Sequence, residues 1–123
     1  MADAGIWIAW GIPTRGREVQ ALELFRESLE GYGAQLLRDG AIERYDVAVL
    51  RPQSMQLGGF VLIQGSPEQI DTLRRDEDFQ RFVTQVQLVA DSVGMVDAWV
   101  NDGLGEAFDL YEKALRKGGL LAP

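Results

Sequence analysis

The period of the apolar residues switches repeatedly along this chain between two and three-to-four, and the order of those switches constrains the fold more than any single motif. Residues 6–12 (IWIAWGI) are β-branched and aromatic and stop at Pro13 and Gly16, which predicts a first strand. Between Glu18 and Asp39, residues Leu22, Phe25, Leu29, Tyr32 and Leu36 recur at spacings of three and four, one apolar stripe of a helix that Gly40 ends. Residues 42–51 (IERYDVAVLR) alternate as a second strand, the turn formers of 52–59 follow, and 60–65 is a third strand, antiparallel to the second. Ser66, Pro67 and Gln69 form the clearest local signal: a serine cap, proline in the first turn and a glutamine set to close a capping box. The stripe that begins there at Ile70 and Leu73 is interrupted by charges from Arg74 to Asp78 and resumes at Phe79, Phe82, Val83, Val86 and Val89, so a kink or break is expected near Asp76. Residues 93–100 make a fourth strand, and Leu104, Phe108, Tyr111 and Leu115 mark a last amphipathic helix.

Strand, helix, strand, strand, helix, strand, with one helix appended, is the α+β order of a ferredoxin-like domain, and 123 residues suffice for one such domain spanning 1–123. The apolar share of 46% is enough for a core. Twelve basic against 19 acidic residues leave a net charge of -7, which disfavours nucleic acid and anionic membrane surfaces as partners. The opening MADAGIWIAWGIP has no cationic start and only about eight apolar residues in a run, too short for a signal core or a span, so a cytoplasmic location is expected. The absence of cysteine agrees with that compartment.

Several residues then carry a resemblance. The RGRE loop before the first helix, the RYDVAVL strand, the FVLIQ run and the DEDFQRFV segment together resemble the antibiotic-biosynthesis-monooxygenase-like proteins of the dimeric α/β barrel superfamily. GGFVLIQGSPEQ is similar to the corresponding passage of YCII-related proteins, which share that fold. The likeness covers roughly residues 6–100. It implies a homodimeric α/β barrel in which the appended helix, or the strand before it, helps to clasp the partner. This chain departs from both groups in having no histidine at all, so the histidines of their sites have no counterpart here.

Physics points to the same assembly. Alternation places Val47, Val49, Val61, Ile63, Val96, Ala98, Val100 and Trp7 on a face packed against the helices. The opposite set is Ile8, Trp10, Ile42, Asp46, Ala48, Leu50, Phe60, Leu62, Gln64, Met95, Asp97 and Trp99. Left in water, that set is a larger apolar patch than a soluble monomer usually carries, so a second copy is expected to cover it, sheet against sheet.

Within such a barrel the polar members become the candidate site. Asp46 and Asp97 are the candidate acid/base residues, because a desolvated carboxylate exchanges protons nearer neutrality. Trp10, Phe60, Gln64, Met95 and Trp99 are the candidate substrate-binding walls, and indoles stack well on planar ligands. Asn101, in VNDG, reads as a turn or helix cap. With no histidine or cysteine, triad chemistry, thiol chemistry and the usual transition-metal sites are excluded, and the serines 28, 54, 66 and 92 have no imidazole to activate them. No cofactor is implied. The expectation is a dimer that binds a small apolar or aromatic molecule and, if catalytic, runs cofactor-independent oxidation or proton-transfer isomerisation. The competing expectation is a non-catalytic interaction or regulatory dimer whose barrel is filled by its own side chains. An open cavity above about 300 Å³ separates the two.

Overall fold

The structure, a computed structural model, describes residues 2–53 and 56–122, so Ser54 and Met55 of the expected 52–59 turn lie outside the described residues. The elements follow the expected order: β1 (Ala4–Trp10), α1 (Glu18–Glu27), a π-helical stretch (Ser28–Gly33), α2 (Ala34–Arg38), β2 (Arg44–Val49), β3 (Gly59–Gly65), α3 (Pro67–Arg75), α4 (Glu77–Val89), β4 (Gly94–Trp99), a 3-10 turn (Asn101–Gly103) and α5 (Leu104–Lys117). The four strands form one antiparallel sheet in the order β2-β3-β1-β4, the ferredoxin-like arrangement.

Local chemistry sets the boundaries. The Ser66 hydroxyl accepts from the Gln69 amide at 3.1 Å while the Gln69 side chain accepts from the Ser66 amide at 2.7 Å, closing the capping box of α3. Gln69 Nε2 also donates to the Gly40 carbonyl at 2.9 Å, which ties the start of α3 to the end of α2. The break expected near Asp76 is present: its backbone is extended at ψ 131°, and its carboxylate accepts from the Phe79 amide at 3.1 Å, so one residue ends α3 and caps α4.

The helix-side core is built on β1. Ile6 and Ile8 are fully buried and pack with Ile42, Ile63, Ile70, Leu73 and Phe79. Pairing across the ladders then fixes each face. Ile6 stands opposite Ile63 and Asp97, and Ile8 opposite Val61 and Met95, so all six share the helix side. Trp7 stands opposite Leu62 and Val96, Asp46 opposite Leu62, and Ala48 opposite Phe60, which defines the uncovered side.

This corrects the expected faces for two strands. β2 and β3 lie as expected. In β1 and β4 the parity is reversed: Ile8, Trp10, Met95, Asp97 and Trp99 belong to the helix side, while Trp7, Val96 and Ala98 belong to the open side. Ile42 and Leu50, just outside β2, also turn to the helix side, Ile42 into the core and Leu50 to a cavity wall. Because side chains alternate with a period of two, a shift of one residue exchanges a strand's entire face, and a strand with bulky apolar groups on both sides carries no internal marker of which one is covered.

Strand β4 is a sheet edge, with Met95, Val96 and Trp99 each about half exposed. Helix α5 has no buried residue, and its Phe108 and Tyr111 project into solvent. Among the described residues no helix is long and apolar enough to cross a membrane.

Candidate functional site

The helix side is not filled. A cavity of about 680 Å³ lies between β2, β3 and the end of β1 on one side and α1, the π stretch and α4 on the other. Its walls include Trp10, Phe25, Leu29, Tyr45, Val47 and Phe82, and Ile12, Leu22 and Val49, all largely exposed, stand at its outer part. Trp10 meets Phe25 edge-on at 6.1 Å between ring centroids.

The π stretch shapes this space. A helix wound more widely than α aims Ser28, Leu29, Tyr32 and Gly33 at the sheet together, and all four line the cavity. Gly33 permits a close approach there: a Cβ on it would stand 3.0 Å from the Tyr45 ring and 3.1 Å from the Ser28 carbonyl, tighter than ordinary contact. That close approach lets the Tyr45 hydroxyl donate to the Leu29 carbonyl at 3.1 Å, and the Ser28 hydroxyl donates to the Leu24 carbonyl at 2.6 Å. Tyr32 differs from both. Its hydroxyl is buried and has no hydrogen-bond partner among the described residues, while its ring stacks obliquely on Phe82 at 5.6 Å. Burial first, and then the nearby carboxylates of Asp76 and Asp78, push the phenol from its ordinary 10 up to about 12. Helical spacing alone reads residues 18–39 as one continuous helix. The signal for the interruption was Gly31 and Gly33, two poor helix formers flanking Tyr32.

On the open side, a chain of polar side chains crosses the sheet. Arg44 donates to Asp46 Oδ1 at 3.0 and 3.2 Å, Gln64 Nε2 donates to Asp46 Oδ2 at 2.7 Å, and Asn101 Nδ2 donates to Gln64 Oε1 at 3.1 Å and to the Ala2 carbonyl at 2.7 Å. Gln64 is only 4% exposed, and both ends of its amide are used. Asn101 holds a left-handed φ of 52°, tolerable for asparagine, and its side chain reaches across the sheet instead of capping α5.

The residues expected to form one site are therefore divided. Asp46, Gln64 and Phe60 share the open face. Trp10 walls the helix-side cavity, and Met95 and Trp99 lie on the exposed edge of the helix side. Asp97 pairs with Arg74 of α3 on that same side, so the two candidate carboxylates stand on opposite faces of the sheet. Of the polar residues in the cavity's lining, Tyr32 and Tyr45 were read in sequence as helix and strand residues only and Ser28 as a serine without an activating imidazole, while Glu18, Arg51 and Gln53 were not singled out as cavity residues.

No protein-family model and no curated protein matches the chain. Solved structures do match its fold. A dimeric protein of unknown function and ferredoxin-like fold from Bacteroides fragilis superposes with a TM-score of 0.57 at 10% identity over 79% of this chain and 96% of that one. An ethyl tert-butyl ether D family protein from Bacillus halodurans gives 0.56 at 11% identity, over 80% and 99%. SnoaB, a cofactor-independent oxygenase from Streptomyces nogalater, gives 0.55 at 11% identity, over 81% and 95%. The chain thus has the fold of these dimeric ferredoxin-like proteins.

Proposed function

We propose that this protein is a homodimer in which each subunit binds a small, largely apolar or aromatic molecule in the cavity between its helices and its sheet. The observation that carries the reading is the cavity itself: about 680 Å³, walled mostly by aromatic and aliphatic side chains, with Glu18, Arg51, Gln53 and a few hydroxyl-bearing residues in its lining. That lies within the roughly 300–1,000 Å³ usual for small-molecule sites. It also favours binding over the competing role of a protein with a filled interior. The dimer is supported by the side of the sheet opposite the helix-side core, where Trp7, Phe60, Leu62 and Val96 stand together, the first three partly exposed and Val96 about half exposed. Two structures of the same fold are described as dimeric, which agrees.

The finer part of the proposal is turnover: cofactor-independent oxidation of the bound molecule by dioxygen. Its support is the likeness to SnoaB and a cavity that can hold a planar, oxygen-reactive ligand away from water.

Binding is tested by titrating naphthalene derivatives and following quenching of tryptophan fluorescence. Ala21 lines the cavity from α1, and Ala21→Trp places an indole in that space without breaking helix propensity. The variant should lose at least about ten-fold in affinity. Equal affinity in both proteins would sink the reading. Turnover is tested by oxygen uptake on 1,4-dihydroxynaphthalene above its spontaneous rate, which Ala21→Trp should abolish.

A further inference from the structure

Resting on that cavity, we infer that its ligand is an organic anion: an apolar or aromatic body lying between helices and sheet, with a carboxylate held at the mouth by the Arg51 guanidinium.

The cavity is polarised along its length. At one end its lining reaches the buried core at Ile42 and Ile63, and at the other it opens between the exposed side chains of Ile12, Leu22 and Val49. Among the described residues its lining holds two charges, Glu18 and Arg51, and both are exposed at the open end. Arg51 follows the wall residues Val49 and Leu50, and Glu18 opens α1, whose Leu22 stands at the rim. The interior has no cation, and the hydroxyl protons of Ser28 and Tyr45 are already given to backbone carbonyls. A charged group has no compensating partner there, so an amphiphilic ligand buries its apolar part and keeps its charge at the mouth.

The sign of that charge follows from which mouth residue is free to pair. The Glu18 carboxylate turns back along the entry loop to accept from the Gly16 amide, in the first turn of α1 where negative charge is favoured. Gln53 donates to the Leu57 carbonyl at 2.7 Å. Asp91, whose carbonyl accepts from the lining residue Gly11, holds its carboxylate on the Thr14 hydroxyl at 3.2 Å. The Arg51 guanidinium has no ion pair and no acceptor among the described residues. Arg15 and Arg17, equally without an ion pair among them, lie in the loop between the lining residues Pro13 and Glu18. Three guanidinium groups thus face two engaged carboxylates at this end of a chain whose net charge is -7. That local excess draws an organic anion here, and a guanidinium matches a carboxylate with two parallel N–H donors.

The test uses 2-naphthoate and 2-naphthamide, nearly equal in shape and different in charge, titrated by calorimetry into the wild-type protein and Arg51→Gln. In about 20 mM salt the wild type should bind naphthoate about five-fold more tightly than the amide, a margin kept small by the exposure of Arg51, and about 0.5 M salt should erase most of it. In Arg51→Gln the order should reverse, because the carboxylate still loses water on entering and meets no guanidinium. Affinity for the amide should change by less than about two-fold, which shows that the cavity is intact. A wild type that prefers the amide, or a naphthoate preference that survives in Arg51→Gln, overturns this inference and leaves the cavity standing. Failure of both probes to bind the wild type, or equal binding of both by Ala21→Trp, removes the cavity reading and this inference together.

Discussion

The two faces of one sheet have been put to different uses by what covers them. On the helix side, Ile6 and Ile8 are sealed beneath α3 and α4, yet toward β2 a hollow remains that the π stretch, β2 and β3 help to line. On the open side Trp7, Phe60 and Leu62 stand together, partly exposed, and a polar chain of Arg44, Asp46, Gln64 and Asn101 crosses the same strands. The difference teaches where a binding site can form in this architecture. Curved helices over a twisted sheet leave space when one turn is wound wide, whereas two flat apolar faces brought together interdigitate and exclude it. Hydrogen-bonded polar groups on an otherwise apolar face then serve to fix register.

The sharpest way to break this comparison is to weaken each face separately. Phe79, 1% exposed at the centre of the helix-side core, should cost about 3–5 kcal/mol when changed to alanine, measured by urea denaturation. Leu62→Glu introduces a charge at the middle of the open face. It should leave the subunit fold largely intact, because Leu62 lies outside the buried core, but weaken association by about 100-fold or more, about 2.7 kcal/mol, read by light scattering across a concentration series. A monomeric wild-type protein, or a Leu62→Glu protein that stays dimeric, would show that the open face is not the interface.

Much of this division was legible in the sequence. The order of the elements, the capping box at Ser66 and the break at Asp76 follow from short-range chemistry, since caps and periodicity are written within a few residues. The faces of β2 and β3 were legible because Asp46, Gln64 and Arg44 mark one side as polar. Those of β1 and β4 were not. IWIAW is apolar on both sides, and only the pairing of Ile6 with Ile63 decides which side meets the helices. The candidate site was read on the wrong side for Trp10, Met95, Asp97 and Trp99 for that reason. The cavity was missed for another: it depends on the π stretch and on the approach of Tyr45 to Gly33, 12 residues apart in sequence, a contact that exists only after folding.

The polar chain on the open face offers a smaller and more specific test. Gln64→Leu removes the amide that joins Asp46 to Asn101 while roughly keeping the side chain's volume. Asp46 retains Arg44 and Asn101 retains the Ala2 carbonyl, so neither is wholly orphaned. The expected loss is about 1 kcal/mol by denaturation. Paired with Leu62→Glu, it separates register from adhesion: the leucine variant should remain dimeric, with altered backbone amide shifts at Asn101 and Ala2.

The smallest effect belongs to the helix side and concerns a proton. Tyr32 has its phenol raised to about 12 by burial and then by Asp76 and Asp78, against an ordinary value of 10 in the unfolded chain. Below pH 10 both states hold the proton and the shift leaves stability independent of pH. Between 10 and 12 the unfolded chain releases it while the native state retains it, so stability falls as pH rises through that window. Because Asp76 and Asp78 lie in a solvated hollow, the contribution is about 1 kcal/mol, less than the full shift implies. Tyr32→Phe should flatten this alkaline slope relative to wild type and leave the acid limb unchanged, as followed by thermal melts from pH 6 to pH 11.5.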